Sequence, residues 1–273
     1  MKKYIYQILF SALCFVVLAS CDKDKDSEGL TYVENFPVIT DADGNKFATI
    51  NIALGESFTP SYSATMGGQD ITSKVSVSIL DLISGEEVEK ITTETPGMYE
   101  IHYSAETETG LGTWAETQSV YVYNPDITLD IAGEYGVNAS EAFAKDSGGR
   151  LEPKEDTEKY VSFGEFFEFF ETTCPISVTI TQLVPGFYKI SDAMFGWYTS
   201  VRYANEYGTE LDAPGYISLN PDNTISLVSS KTYWNDSVED FKASYDPDTK
   251  SITFEYTYSP GKVYAKGVAR LAE

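Results

Sequence analysis

The stretch "GYISLNPDNTISLVSS", Gly215 to Ser230, decides the fold. Two runs rich in strand-forming residues flank Pro221-Asp222-Asn223, a cluster of turn formers, so the stretch reads as a β-hairpin. A second hairpin follows in "FKASYDPDTKSITFEYTY", Phe241 to Tyr258, around Asp246-Pro247-Asp248. Upstream, Ile176, Val178 and Ile180 alternate, and "VPGFYKISD" supplies a turn and a return strand. "DIAGEYGVNA" reads as a first strand with a glycine at Gly133, and "VYAKGVARLAE" as a last one. Successive hairpins favour an up-and-down antiparallel meander. Such a sheet is most economically closed as a small barrel, because closure removes unpaired edges.

The preceding region has the same texture. Ala48, Ile50, Ile52 and Leu54 alternate, as do Val75, Val77 and Ile79, then Tyr99, Ile101, Tyr103 and Ala105, then Val120 and Val122. Period 2 broken by turn residues predicts half-buried strands of a sandwich. His102, the only histidine, falls on the face opposite Tyr99, Ile101 and Tyr103 and is expected to be an exposed strand residue. Asn124-Pro125 marks a boundary between this region and the hairpins.

One segment breaks the pattern. Residues from about 140 to 173 look like an insertion between the first two strands of the second half. Within it Phe163, Phe166, Phe167 and Phe170 are spaced i, i+3, i+4, i+7, with Glu165, Glu168 and Glu171 between them. That spacing predicts one face of a short helix, although a strand is open for so short a run. The helix either covers the core or serves as a lid on the barrel mouth or as a docking element.

The chain starts Met1-Lys2-Lys3 and runs apolar from about Ile5 to Ala19. This is shorter than the roughly 20 apolar residues that cross about 30 Å of hydrocarbon, so a signal peptide over residues 1–20 is expected, not a span. The break reads Leu18-Ala19-Ser20-Cys21. Residues 21–35, with "DKDKDSEG", form a charged tether without apolar periodicity. Of three cysteines, Cys14 would leave with the signal, and only Cys21 and Cys174 remain. A net charge of -23 over 273 residues repels phosphate backbones, so no nucleic-acid partner is expected.

Several stretches resemble known families. "LASC" resembles the lipobox of bacterial lipoproteins, which implies cleavage before Cys21 and acylation of that cysteine as a lipid anchor. "NIALGESFTP", "SATMGGQDITSKVSVS", "TPGMYEIHYSAET" and "SVYVY" resemble the strands of a bacterial immunoglobulin-like domain, the type named from a pesticidal crystal protein. This covers about Phe36 to Tyr123. Pro96-Gly97 there suits a turn with positive φ at Gly97. "GEYGV", "PGFYKISDAMFGWY", "GYISLNPDNTISLVS" and "ASYDPDTKSITFEYTY" resemble the C-terminal domain of Bacteroidota outer-membrane lipoproteins of unassigned function, over about Ile131 to Ala272. That group implies a place in polysaccharide utilisation beside a glycan-importing outer-membrane complex. An acidic stretch after the cysteine resembles a surface-export signal, which implies an outer-membrane protein facing the exterior. The expected fold class is all-β: an immunoglobulin-like sandwich (36–124), then an antiparallel meander or small barrel (126–273) with one short helix in its insertion.

Chemistry-bearing residues are sparse. Acids are abundant, but Asp222, Asp246 and Asp248 sit in turns, where they have a local reason to be. With one histidine, zinc and Ser-His-Asp chemistry are disfavoured, and no cofactor or metal is expected. "DADGN", Asp41 to Asn45, lacks the calcium-loop spacing and is better explained by a hairpin turn. The aromatics are more suggestive. Trp197, Tyr198 and Tyr203 in "MFGWYTSVRYANEY", and Tyr233 and Trp234 in "KTYWND", fall on predicted loops beside Asn and Asp. Flat rings there suit sugar faces, while neighbouring amides and carboxylates suit hydroxyls; the other reading is that they cap the barrel ends. "DSV", Asp236 to Val238, resembles the Bacteroidota O-glycosylation signal, which implies Ser237 as acceptor. The leading expectation is therefore a non-catalytic surface lipoprotein that binds a polysaccharide or oligosaccharide. A structural subunit that binds a protein partner is the alternative, and a hydrolase is a third reading.

Overall fold

The computed structural model describes residues 34–146, 160–169, 171, 173–203, 206–236, 238–258 and 263–272. The signal, Cys21, most of the tether, Phe170 and Ser237 lie outside the described residues. The fold is nearly all β, in two bodies with separate apolar cores.

The first body has eight strands: β1 (Val38–Asp41), β2 (Ile50–Ala53), β3 (Tyr62–Met66), β4 (Gln69–Asp70), β5 (Ser76–Asp81), β6 (Glu87–Val88), β7 (Gly97–Glu106) and β8 (Thr113–Tyr123). They form a three-stranded sheet, β1-β3-β4, and a five-stranded sheet, β2-β8-β7-β5-β6, over one core. All pairs are antiparallel except β2 with β8. Alternation on β7 buries Tyr99, Ile101, Tyr103 and Ala105. Tyr103 joins the sheets: its ring stacks on Phe47 at 4.4 Å and meets Tyr62 of β3 at 5.1 Å. Its hydroxyl donates to Gln118 Oε1, and burial pushes its pKa up to about 12. His102 is on the outer face, half-exposed, with Nε2 2.9 Å from Glu100.

Two local expectations are corrected here. Gly97 has no positive φ. It opens β7, and its value is space, since a Cβ would press on the Tyr99 ring at 3.1 Å. Asp41-Asn45 is a tight turn but not a hairpin, because β1 pairs with β3. The Asp41 carboxylate accepts the amides of Asp43 and Asn45, a local cap that explains the acid.

The second body has β9 (Gly133–Val137), β10 (Phe143–Asp146), β11 (Val161–Ser162), β12 (Ser177–Val184), β13 (Phe187–Ile190), β14 (Gly215–Leu219), β15 (Thr224–Ser230), β16 (Val238–Asp246), β17 (Ser251–Tyr258) and β18 (Val263–Leu271). Strands β12 to β18 pair in sequence, and β9 closes the ring by pairing with both β12 and β18. β10 continues along β18 where β9 stops, so β9 and β10 share one position in an eight-position antiparallel barrel. Phe143–Asp146, within the expected insertion, is thus part of the wall. Inward residues alternate along the strands: Val178 and Ile180 on β12; Ile252, Phe254, Tyr256 and Tyr258 on β17.

The ladders give the barrel two unlike ends. At one end the connections are tight turns at Pro185-Gly186, Pro221-Asp222-Asn223 and Pro247–Lys250. Asp222 there accepts from the amide and hydroxyl of Thr224, and its pKa is lowered, first by that hydroxyl. At the other end lie the long connections. Residues 191–214 join β13 to β14, residues 231–237 join β15 to β16, and helix α1 (Phe163–Phe169) leads towards β12. The helix starts with a reciprocal cap. Ser162 Oγ accepts from the Glu165 amide, and Glu165 Oε2 accepts from the Ser162 amide and hydroxyl. Phe163, Phe166 and Phe167 are buried, Phe169 is half exposed, and Glu165 and Glu168 face outwards.

Candidate functional site

The 191–214 connection turns into the barrel mouth, because one carboxylate organises it. Asp192 is enclosed, and its oxygens accept three backbone amides: Met194 at 2.9 Å and Ala213 at 3.0 Å on Oδ1, and Gly196 at 2.7 Å on Oδ2. These bonds tie the first turn of the loop to its last residues. Burial, and then the negative charge of Asp212, push the Asp192 pKa up to about 6 against the pull of the amides. Asp212 is raised too, by burial, while Thr199 Oγ1 donates to it at 2.5 Å. From the wall, Tyr256 donates to the Met194 carbonyl at 2.7 Å.

Next the chain makes a left-handed corner, with φ of 49° at Phe195 and 81° at Gly196. Only glycine fits the second position, since a Cβ would collide with Ile176 Cγ2. The corner puts the Phe195 ring flat on Phe254 at 4.0 Å. It then starts a π-helical turn, Trp197–Arg202, a geometry uncommon in proteins and frequent at functional sites.

That turn splits the predicted rings into two groups. Trp197 has no exposed surface. It points into the barrel and packs on α1, 5.5 Å from Phe163 and edge-on to Phe166 at 5.0 Å. The assignment of Trp197 to a ligand face is therefore corrected: it is the centre of the plug. The other four come together. Tyr198, half-buried, lies 5.0 Å from Trp234 and 6.0 Å from Tyr203, and Trp234 lies 5.6 Å from Tyr233. Tyr207 extends the row, edge-on to Tyr203 at 5.5 Å. Tyr233 and Trp234 are 63% and 44% exposed, enough to present ring faces to solvent. Tyr258 of β17 supports the row from below: its ring meets Tyr198 at 5.3 Å and its hydroxyl donates to Asp236 at 3.2 Å.

Residues 231–236 are held in shape. Thr232 and Asp236 exchange backbone and side-chain bonds, and Asn235 takes a left-handed φ of 67°. Asn235 and Asp236 also line a cavity of about 740 Å³ together with Lys189, Tyr216 and Lys231. None of the row's rings lines that cavity, but Asn235 and Asp236 follow Trp234 directly, so an amide and a carboxylate adjoin the exposed indole, a combination that suits a polyhydroxylated ligand. Asp192 and Asp212 do not supply an acid pair at this surface, because Asp192 is sealed in the plug with its oxygens occupied. Among the described residues no group of three or more His, Cys, Asp or Glu is placed to hold a metal ion.

Sequence reading missed Asp192. Its signal was the string Ser191-Asp192-Ala193-Met194-Phe195, an acid directly before a short apolar run. It also missed the Ser162-Phe163-Gly164-Glu165 capping pattern.

A protein-family profile, described as a C-terminal domain, matches residues 124–266, more than half of the chain. The chain belongs to that family. The family's domain starts at the Asn124-Pro125 junction and ends within β18, so it contains the plug, the aromatic row and both halves of the split strand. Among solved structures the chain is similar to the lipoprotein BT2262 from Bacteroides thetaiotaomicron, 24% identical over 86% of this chain and 100% of that one, with a TM-score of 0.39. No curated protein matches.

Proposed function

We propose that this is a lipid-anchored, non-catalytic protein of the bacterial outer surface that binds a polysaccharide or oligosaccharide at the long-loop end of its barrel. The row Tyr233-Trp234-Tyr198-Tyr203 carries the reading. Exposed aromatic faces are costly to leave in water, and Tyr207, Tyr233 and Trp234 are exposed together at this rim. C–H faces of sugar rings stack on them, and Asn235 and Asp236 stand where hydroxyls would follow. The sequence of the leader supports the anchor: a short apolar run, then Leu18-Ala19-Ser20-Cys21. Two or more acyl chains on Cys21 would hold the protein stably where one would not. The resemblance of both halves to Bacteroidota surface lipoproteins supports a role beside a glycan-importing complex.

Affinity electrophoresis and calorimetry over a panel of polysaccharides test the binding. At least one glycan should retard the wild type, and Trp234→Ala with Tyr233→Ala should abolish the retardation. Binding of no glycan, or equal binding by the double variant, overturns the reading. Radiolabelled palmitate should enter the wild type and not Cys21→Ser.

A further inference from the structure

The first body carries its own exposed apolar cluster, at the place where the chain enters it. Leu111 stands at the tip of the β7–β8 hairpin and is 90% exposed. The tip is held by bonds from Thr107 N to the Gly112 carbonyl and from Gly110 N to the Thr107 carbonyl, with Gly110 in a left-handed φ of 69°. Beside it the ring of Trp114 meets that of Phe36 at 6.0 Å, and Val38 is on the same outward side of the strand as Phe36. Trp114 Nε1 donates to Glu116 at 3.2 Å, which satisfies the polar edge and leaves the ring face open. Phe36 and Trp114 thus form an exposed ring pair, flanked along the chain by exposed Val38 and Leu111, in a protein that buries most other large apolar side chains.

The entering chain is fastened to this same hairpin. Asn35 donates through its amide and side chain to Glu108 Oε2, at 3.3 and 2.7 Å, and Glu34 accepts from the amide and hydroxyl of Thr109. About a dozen residues separate Glu34 from Cys21. Fully extended, that many residues reach at most about 45 Å. We propose that Phe36, Val38, Leu111 and Trp114 form a membrane-contact face that seats the first body on the bilayer interface next to the lipid anchor. The inference rests on the reading of Cys21 as acylated.

Two physical points select a bilayer as the occupant. Tryptophan with a satisfied N–H beside apolar side chains suits the boundary between headgroups and acyl chains. The short tether makes contact an intramolecular event, so even a weak face is engaged most of the time. Glu34, Glu106 and Glu108 border the cluster, so the surface it suits has little net negative charge.

The test uses the full lipidated chain in phosphatidylcholine vesicles. Flotation reports the anchor. Quenching of tryptophan fluorescence by lipids brominated near the headgroup reports the face, since Trp197 is enclosed and Trp234 stands on the barrel. Wild type should float and be quenched. Trp114→Phe should remove most of that quenching, and Leu111→Asp should reduce it at least twofold, both with unchanged circular dichroism. Flotation without Trp114-dependent quenching overturns the inference and leaves the anchor standing. Sedimentation showing a dimer that Leu111→Asp dissociates overturns it in favour of a second copy. Failure to float overturns both the anchor and the face.

Discussion

Trp197 and Trp234 stand at the same end of the barrel, and the ring of Tyr198, the neighbour of one, touches the other. Both belong to loops, and both lie in stretches rich in Gly, Tyr and polar residues. Yet Trp197 is sealed and Trp234 is nearly half exposed. The difference comes from what each loop does with its backbone. The 191–214 loop brings a carboxylate inside, and three backbone amides converge on it, so those amides enter the barrel paired. The 231–237 loop satisfies itself through Thr232 and Asp236 at the rim, so its rings stay out.

The strongest test of this contrast is truncation of the inner ring. Trp197→Ala removes the side chain around which Phe163 and Phe166 pack. Loss of a buried tryptophan in a close-packed core costs about 3–5 kcal/mol. Urea unfolding should show that loss, and protease should cut near α1 in the variant first. A cost below about 1 kcal/mol would mean that the plug is not part of the core.

Asp192→Asn comes next. The amide can accept for Met194 and Ala213, but its NH2 faces the Gly196 donor. One buried amide is left unpaired, at about 1–3 kcal/mol. The variant also sharpens the pH argument. Asp192 is raised in the folded state to about 6 from 3.8, so the folded protein holds more protons than the unfolded chain between those values. Stability from this group is therefore greatest at low pH and falls as pH rises from about 4 to about 6. Asp212 acts in the same direction. Thermal melts of wild type and Asp192→Asn, compared at pH 4 and pH 7, should show the wild type losing more of its stability on going to pH 7. Equal pH dependence would rule out the buried carboxylate as the cause.

The pattern of success follows from what each signal encodes. Strand alternation and turn residues depend on neighbours two to four positions away, so the antiparallel barrel, though not its strand number, and the inward face of β7 were legible. So was α1, where phenylalanine spacing alone marks the buried side. The split of one strand into β9 and β10 was not, because it depends on β18, about 120 residues later. Trp197 was misplaced for a related reason. Loop composition predicts exposure on average, and here a single enclosed acid reverses it. Four of the five predicted rings nevertheless meet in one row, since sharing a rim requires only that both loops leave the same end of the barrel.

A smaller effect is expected at the helix start. Glu165→Ala removes the return half of the cap at Ser162, worth about 1 kcal/mol for a reciprocal cap. The melting temperature should drop by a few degrees, and Glu165→Gln should recover most of the loss. No change would mean that α1 is held by its phenylalanines alone.

The smallest stability effect should belong to the outer ring. Trp234 is a rim residue whose contacts are other exposed or half-exposed rings, Tyr198 and Tyr233. Removing it opens no cavity in the core, so Trp234→Ala should change unfolding free energy by no more than about 0.5 kcal/mol. Its effect on a bound glycan should be large, because the largest ring face of the exposed row is lost and the row is interrupted between Tyr198 and Tyr233. Trp197→Ala should show the reverse ratio, with a large stability loss and, in the fraction that remains folded, binding reduced only as far as Tyr198 moves. If Trp234→Ala destabilises the barrel as much as Trp197→Ala does, the two tryptophans share one structural role. The row would then be a lid on the barrel and not a ligand face.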